Sequence, residues 1–171
     1  MLFGPVGPQL HLSRLGGKNN TEHYRVGVMS MVREHCDSIM SINPNARIVI
    51  MGDFNDSPID KSISVALGAK PLAEPYETTS LYNMFHQFVG NAFNGTHKYQ
   101  SQWSVLDQII VSGSFFTSGL LKPSSAYIFR ASFLLEEDKK NMNFRPKRTY
   151  SGMRYQAGYS DHLPIVLKFC E

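Results

Sequence analysis

Cysteine is scarce: Cys36 lies inside a helix-like pattern and Cys170 one residue from the end. Two such positions exclude a disulfide framework and a cysteine-based metal site. No apolar run approaches the ~20 residues that a membrane-spanning helix needs. The opening MLFGPVGPQLHL is no signal peptide either: it lacks a basic start and an unbroken apolar core, since Gly4, Pro5, Gly7 and Pro8 interrupt it. Strong charge is also missing. A formal net charge of +3 is compatible with a phosphate-bearing substrate but falls short of a nucleic-acid-binding signature. The most basic stretch, KKNMNFRPKR at 139–148, has no hydrophobic period and reads as a solvated loop, with a phosphate-facing surface as the second reading. There is no internal repeat and no dividing linker, so the 171 residues read as one soluble domain, 1–171, with enough apolar side chains for a core. The compartment stays open.

Residues 1–20 are rich in Gly, Pro and Asn and read as irregular. From about Thr21, apolar residues recur at three- and four-residue steps: Tyr24, Val28, Met31, Val32, Cys36, Ile39 and Met40 define one face of a helix that Asn43 and Pro44 end. A strand over 47–51 follows. Ser57, Pro58 and Asp60 then look like an N-cap, a first-turn proline and a carboxylate at the helix dipole, with Gly68 closing a short helix. A second short helix is expected over 79–88, and strands over 98–103, 106–112, 126–135 and 163–169. Helices and strands in alternation, then mostly strands, indicate a layered α/β sheet protein.

Three apolar strands are interrupted by polar residues at their edges: Gly52-Asp53-Phe54-Asn55, Leu106-Asp107-Gln108 and Ser160-Asp161-His162. In extended backbone Asp53 and Asn55 point to one side while Phe54 anchors the other. A single Asp at a strand end is usually a turn former. Three together fit one chemistry. Carboxylates hold a hard divalent cation such as magnesium, one carboxylate orients or deprotonates a water, an amide donates to a phosphoryl oxygen, and a histidine held by a carboxylate stabilises charge there. That combination reads as phosphoester hydrolysis.

In order and separation, GDFN, LDQ and SDHLP resemble the later motifs of the endonuclease/exonuclease/phosphatase superfamily, which includes abasic-site endonucleases, pancreatic-type deoxyribonucleases, inositol polyphosphate 5-phosphatases and neutral sphingomyelinases. The resemblance runs from about Arg14 to the final strand, and TYSGMRYQAGYSDHLPI looks like bacterial members. It implies part of a two-sheet α/β sandwich with helices outside, as in the deoxyribonuclease-like fold. It also implies a metal-dependent hydrolase, a phosphodiesterase, nuclease or phosphatase, working with Mg2+ or Mn2+. Carried over by motif, Asp53 would orient or activate the attacking water, Asn55 would contact the phosphate, Asp107 would hold the imidazole of His162 against the scissile phosphate, and Asp161 would sit by the metal. Gln108 and Ser160 are expected to shape backbone, and Trp103 to belong to the core. Nucleic acid, inositol phosphate and lipid headgroup all remain open as substrate.

Two features depart from the family pattern. Its first half normally supplies an Asn and a strand ending in a metal-binding Glu. Here Glu22 and Glu34 fall in or beside the helix, Glu74 and Glu77 in a proline-containing loop, Glu136 and Glu137 in a late turn, and Glu171 at the end. The chain therefore reads as the C-terminal part of such a domain with the N-terminal portion missing. Ser13, Arg14, Gly16 and Gly17 reproduce a family stretch, yet His11 stands one position from the expected histidine, which Leu10 replaces. His11 and Arg14 are candidate phosphate contacts. A half sandwich would expose apolar sheet surface, so self-association or a separate N-terminal segment is expected to cover it. The alternative to an enzyme is a truncated, catalytically silent domain acting as a binding or assembly module.

Overall fold

The structure, a computed structural model, describes residues 20–91, 94–118, 121–141 and 143–170. Its first element is the long helix α1 (Glu22–Ile42), close to the bounds read from periodicity. The buried face differs from the expected one. Met29, Val32, Cys36 and Met40 pack inward, whereas Tyr24, Val28 and Met31 are exposed, Met31 by 70%. The reason lies in Arg25 and Arg33, which share the inward side: Arg25 Nε donates to Asp56 Oδ2 at 2.7 Å, and Arg33 reaches the Leu67 carbonyl. These polar tethers rotate the helix away from the face that hydrophobicity alone selects.

β1 (Val49–Asp53) carries the first motif. A π-helical turn (Ser62–Ala66), β2 (Ala69–Lys70) and β3 (Leu81–Asn83) follow, then a 3-10 turn (His86–Phe88), β4 (His97–Tyr99), β5 (Gln102–Ser104) and β6 (Asp107–Ser112). After β6 come the short α2 (Ser114–Thr117), β7 (Lys122–Ile128), a 3-10 turn (Ser132–Leu134), β8 (Leu135–Asp138), β9 (Asn143–Pro146), β10 (Tyr150–Ser151), β11 (Arg154–Tyr155) and β12 (Ile165–Cys170). The central sheet has the order β1-β6-β3-β2, antiparallel except for the parallel β2–β3 pair. β12 pairs antiparallel with β7 and lies against β6. This is a layered α/β fold: helix, four-stranded sheet, two-stranded sheet.

Alternation along β6 assigns the layers. Ile110 meets Cys36, Met40, Ile63, Leu67 and Leu81 on the helix side, while Ile109 and Val111 join Tyr82, Phe115, Ile128 and Leu163 between the sheets. Both sides of β6 are therefore buried, and its unbroken apolar run follows. Each such side chain contributes ~1.5–3 kcal/mol by burial.

Four local expectations need correction. The helix over 79–88 is instead β3 and a 3-10 turn. Leu81 and Tyr82 are buried on opposite sides of the sheet, and a short apolar run buried on both sides carries no period that separates helix from strand. Ser57 does not cap a helix: its backbone N–H donates to Asp60 Oδ2 at 2.6 Å, and the helical turn starts later. Gly68, at φ +68°, does close it, in a left-handed conformation that glycine adopts without strain. The strand over 126–135 breaks after Ile128, and four residues of the basic stretch 139–148 are strand, because β9 pairs with β8. Trp103 lies in the inter-sheet core with the Arg130 guanidinium 4.4 Å over its ring.

Candidate active site

The register of β1 against β6 sets Gly52 opposite Gln108 and Asp53 opposite Asp107. Two carboxylates thus stand side by side where the apolar strands end. The third motif arrives from the other layer. His162 forms an antiparallel bridge with His97, and the Leu163 N–H donates to the Thr96 carbonyl at 2.7 Å. Thr96 is fully buried, and its hydroxyl oxygen accepts from the N–H groups of Leu106 and Asp107 at 3.0 and 3.1 Å. One threonine therefore ties the LDQ and SDH segments together. Across the resulting gap, His162 Nδ1 and Asp107 Oδ2 are 2.6 Å apart. A carboxylate only accepts, so Nδ1 carries the proton and Nε2 is left for substrate.

Each motif is braced from behind. Gln108, fully buried, donates from Nε2 to the Asp56 carbonyl at 2.5 Å and accepts from Asn83 Nδ2 at 2.6 Å. Asp56, almost completely buried, accepts from Arg25 and from the Ser62 hydroxyl, at 2.7 and 2.6 Å. The GDFND turn is in this way fastened to β6, α1 and the π-helical turn at once. Phe54 packs into the helix-side core, as the alternation predicts. Asn55 departs from it: at φ +52° it leaves the extended conformation, and its backbone N–H donates to Asp53 Oδ1 at 2.9 Å. Its side-chain amide stays beside Asp53, 3.4 Å from Oδ2. Asparagine tolerates this left-handed conformation better than most residues. Ser160 accepts from the His162 N–H at 3.0 Å, a backbone-shaping contact.

Electrostatics follow from crowding. Burial against the surrounding protein pushes the Asp53 carboxyl up, a trend opposed by the Asn55 N–H and by His162 and reinforced by Asp107 and Asp161. For His162 burial acts downward, but the hydrogen bond and charge of Asp107, with Asp53 and Asp161, outweigh it and leave the imidazole raised above its ordinary value. His97 moves the other way, held down by burial first and then by His162 and Arg148.

Asp53, Asp107 and His162 offer ligand atoms within 4.8 Å of one another, and so do His97, Asp161 and His162. Neither group contains a glutamate among the described residues. His11 and Arg14 lie outside the described residues. Sequence reading missed His97 and Thr96, and reached Arg148 only as the end of the basic stretch 139–148. Nothing in the spacing of GTHKY links it to SDHLP; the connection is made by the strand bridge alone. Beside Asp161, a cavity of about 400 Å3 is lined by Arg148, Thr149, Tyr150, Gly152 and Met153. A second, apolar groove of about 580 Å3 begins at Gly52 and Asp107 and runs between β1 and β12.

No helix among the described residues is long and apolar enough to cross a membrane. No curated protein and no solved structure matches the chain. Residues 10–171 match the Endonuclease/Exonuclease/phosphatase family. That match spans nearly the whole sequence and includes all three polar strand ends, so the chain belongs to the endonuclease/exonuclease/phosphatase family.

Proposed function

We propose that the protein is a metal-dependent phosphoester hydrolase in which water attacks phosphorus in line. The observation that carries this reading is the Asp107–His162 pair, at 2.6 Å, set opposite Asp53 at the mouth of β1 and β6. Asp53 accepts the proton of the attacking water. A carboxyl raised by desolvation is a stronger base than a solvated one, and the Asn55 N–H keeps it oriented. The Asn55 amide donates to a phosphoryl oxygen. His162, aligned by Asp107, which favours its protonated form, donates from Nε2 to the oxygen on which charge grows.

The family generally uses divalent metals. The donor set here is compatible with one: Asp161 and Asp53 bring two carboxylates to the same opening, and Mg2+ takes one or two carboxylates while retaining waters. Asp161 would hold Mg2+ or Mn2+, which supplies charge neutralisation at the phosphoryl oxygens. The cavity beside Asp161 offers Arg148 and Tyr150 to whatever the phosphate carries, a phosphoester from a nucleic acid, an inositol phosphate or a lipid headgroup.

Hydrolysis of bis-p-nitrophenyl phosphate and of p-nitrophenyl phosphate, with Mg2+, Mn2+ or chelator, tests the reading. Metal-dependent turnover that falls by ~10²–10⁴ in both Asp53→Asn and His162→Ala is the expected result. A folded protein without turnover would overturn it. The absence of glutamate from both ligand groups among the described residues favours, in that event, a second reading: a silent domain that binds or assembles.

A further inference from the structure

His97 has no part in the hydrolytic reading, yet it is the residue most closely joined to His162. The two are bridged backbone to backbone, and their rings lie 4.7 Å apart between centroids. Both are half-buried, and Asp161 projects beside them from an exposed turn. We propose that His97, His162 and Asp161 form a site for a borderline-soft transition-metal cation of the Zn2+ class, overlapping the hydrolytic centre but chemically different from a magnesium position.

The donor set is the first argument. Two imidazoles and one carboxylate suit Zn2+, Co2+ or Ni2+, whereas Mg2+ prefers oxygen alone. Three protein ligands around a tetrahedral ion leave the fourth position for water. The second argument is the support behind the ligand. Asp107 occupies His162 Nδ1 at 2.6 Å, which leaves Nε2 as the coordinating atom and reproduces the carboxylate–histidine–metal arrangement that fixes tautomer and raises ligand basicity. Geometry is the third. The ligand atoms lie within 4.8 Å of one another, and bonds of ~2.0–2.1 Å to a tetrahedral ion require about 3.3 Å. The strand bridge restrains the two histidine backbones, so a closure of at most about 1.5 Å falls mainly to imidazole rotation and the exposed Asp161 side chain. The Arg148 charge opposes a cation here, but Asp53, Asp107 and Asp161 all act on His162 with the opposite sign.

The probe is the metal alone. Zn2+ is titrated calorimetrically into the whole chain in excess Mg2+, and Co2+ is followed by its visible d–d absorption. One ion per chain with tetrahedral Co2+ bands is expected. His97→Ala and Asp161→Ala weaken binding by more than the ~10–100-fold expected for Asp107→Asn, which removes only an outer partner. Asp53→Asn changes affinity by less than about tenfold, since it loses a neighbouring charge and no ligand. His97→Gln, which keeps side-chain bulk without an imidazole, serves if His97→Ala does not fold. Absence of stoichiometric binding, or unchanged affinity in a folded His97 variant, would overturn the site; loss in Asp53→Asn with retention in His97→Ala would assign the ion to Asp53, Asp107 and His162 instead. Binding is read without substrate, so a failed metal site and a failed hydrolase are separate results. Only one consequence rests on the hydrolytic reading: Zn2+ takes His162 Nε2 and blocks turnover.

Discussion

At the scale of single residues, the proposed chemistry turns on Asp107, which touches His162 rather than substrate. Its carboxylate sets the tautomer of His162 and outweighs the burial that would otherwise depress the imidazole. Asp107→Asn should therefore lower the His162 pKa, read by NMR titration of its ring protons, and reduce turnover by ~10²–10⁴. An unmoved titration would mean that the pair does not form in solution. Stability carries the same signature. A histidine whose folded pKa is raised stabilises the fold fully below its unfolded value, near 6.5, and that contribution disappears as pH rises through the folded pKa. Denaturant midpoints measured across this interval should fall with rising pH in the native chain and fall less in His162→Ala. The meeting of Asp53, Asp107, Asp161 and His162 at one opening was foreshadowed by three polar interruptions of apolar segments in one sequence, any one of which alone reads as a turn. His97 was not: its neighbours in the chain are ordinary hairpin residues, and only a contact between distant strands brings it to His162.

Elements show where local pattern suffices and where it fails. α1 was legible because 21 residues of amphipathic repeat dominate local propensity, although the salt bridge from Arg25 to Asp56 altered which face turned inward. β3 was not legible: its three residues are all buried, and its strand identity comes from pairing with β6 rather than from period. Gln108 joins these levels, since its side chain clamps the Asp56 carbonyl and the Asn83 amide. Gln108→Leu orphans both, at about 1–3 kcal/mol each, measurable by urea unfolding. A loss under 0.5 kcal/mol would show that the clamp is dispensable. Glycines separate packing from propensity in the same way. A Cβ at Gly113 would stand 1.8 Å from the Glu77 carbonyl oxygen, so Gly113→Ala should cost ~1–3 kcal/mol or more by thermal melt. At Gly27, within α1, a Cβ meets nothing within 4 Å, and Gly27→Ala should stabilise by ~0.5–1 kcal/mol.

On the scale of the whole molecule, the two cores are unequal in closure. The helix side of the central sheet is sealed by α1 and the π-helical turn, but the opposite side is only partly covered by β7 and β12. Val49 and Met51 share that side with Val111 and Ile109, their partners in register, yet they are 43% and 66% exposed. They form one wall of the apolar groove, and Leu163, Ile165, Leu167 and Phe169 form the other. Within the described sheets β1 and β12 each pair along a single side, so the groove is framed by two sheet edges. The expectation of uncovered apolar sheet came from the family resemblance, while its location between β1 and β12 required the topology. An apolar slot between two open edges accepts an added strand by ordinary β-pairing, and a second copy supplies the same edges and the same side chains. The isolated chain should therefore associate at micromolar concentration, and Met51→Lys, which places a charge in the groove without touching the sealed core, should shift it toward monomer in sedimentation velocity. Equal sedimentation of the two proteins as monomers, each unfolding cooperatively, would show that the groove is stable in water and that no partner is needed to cover it.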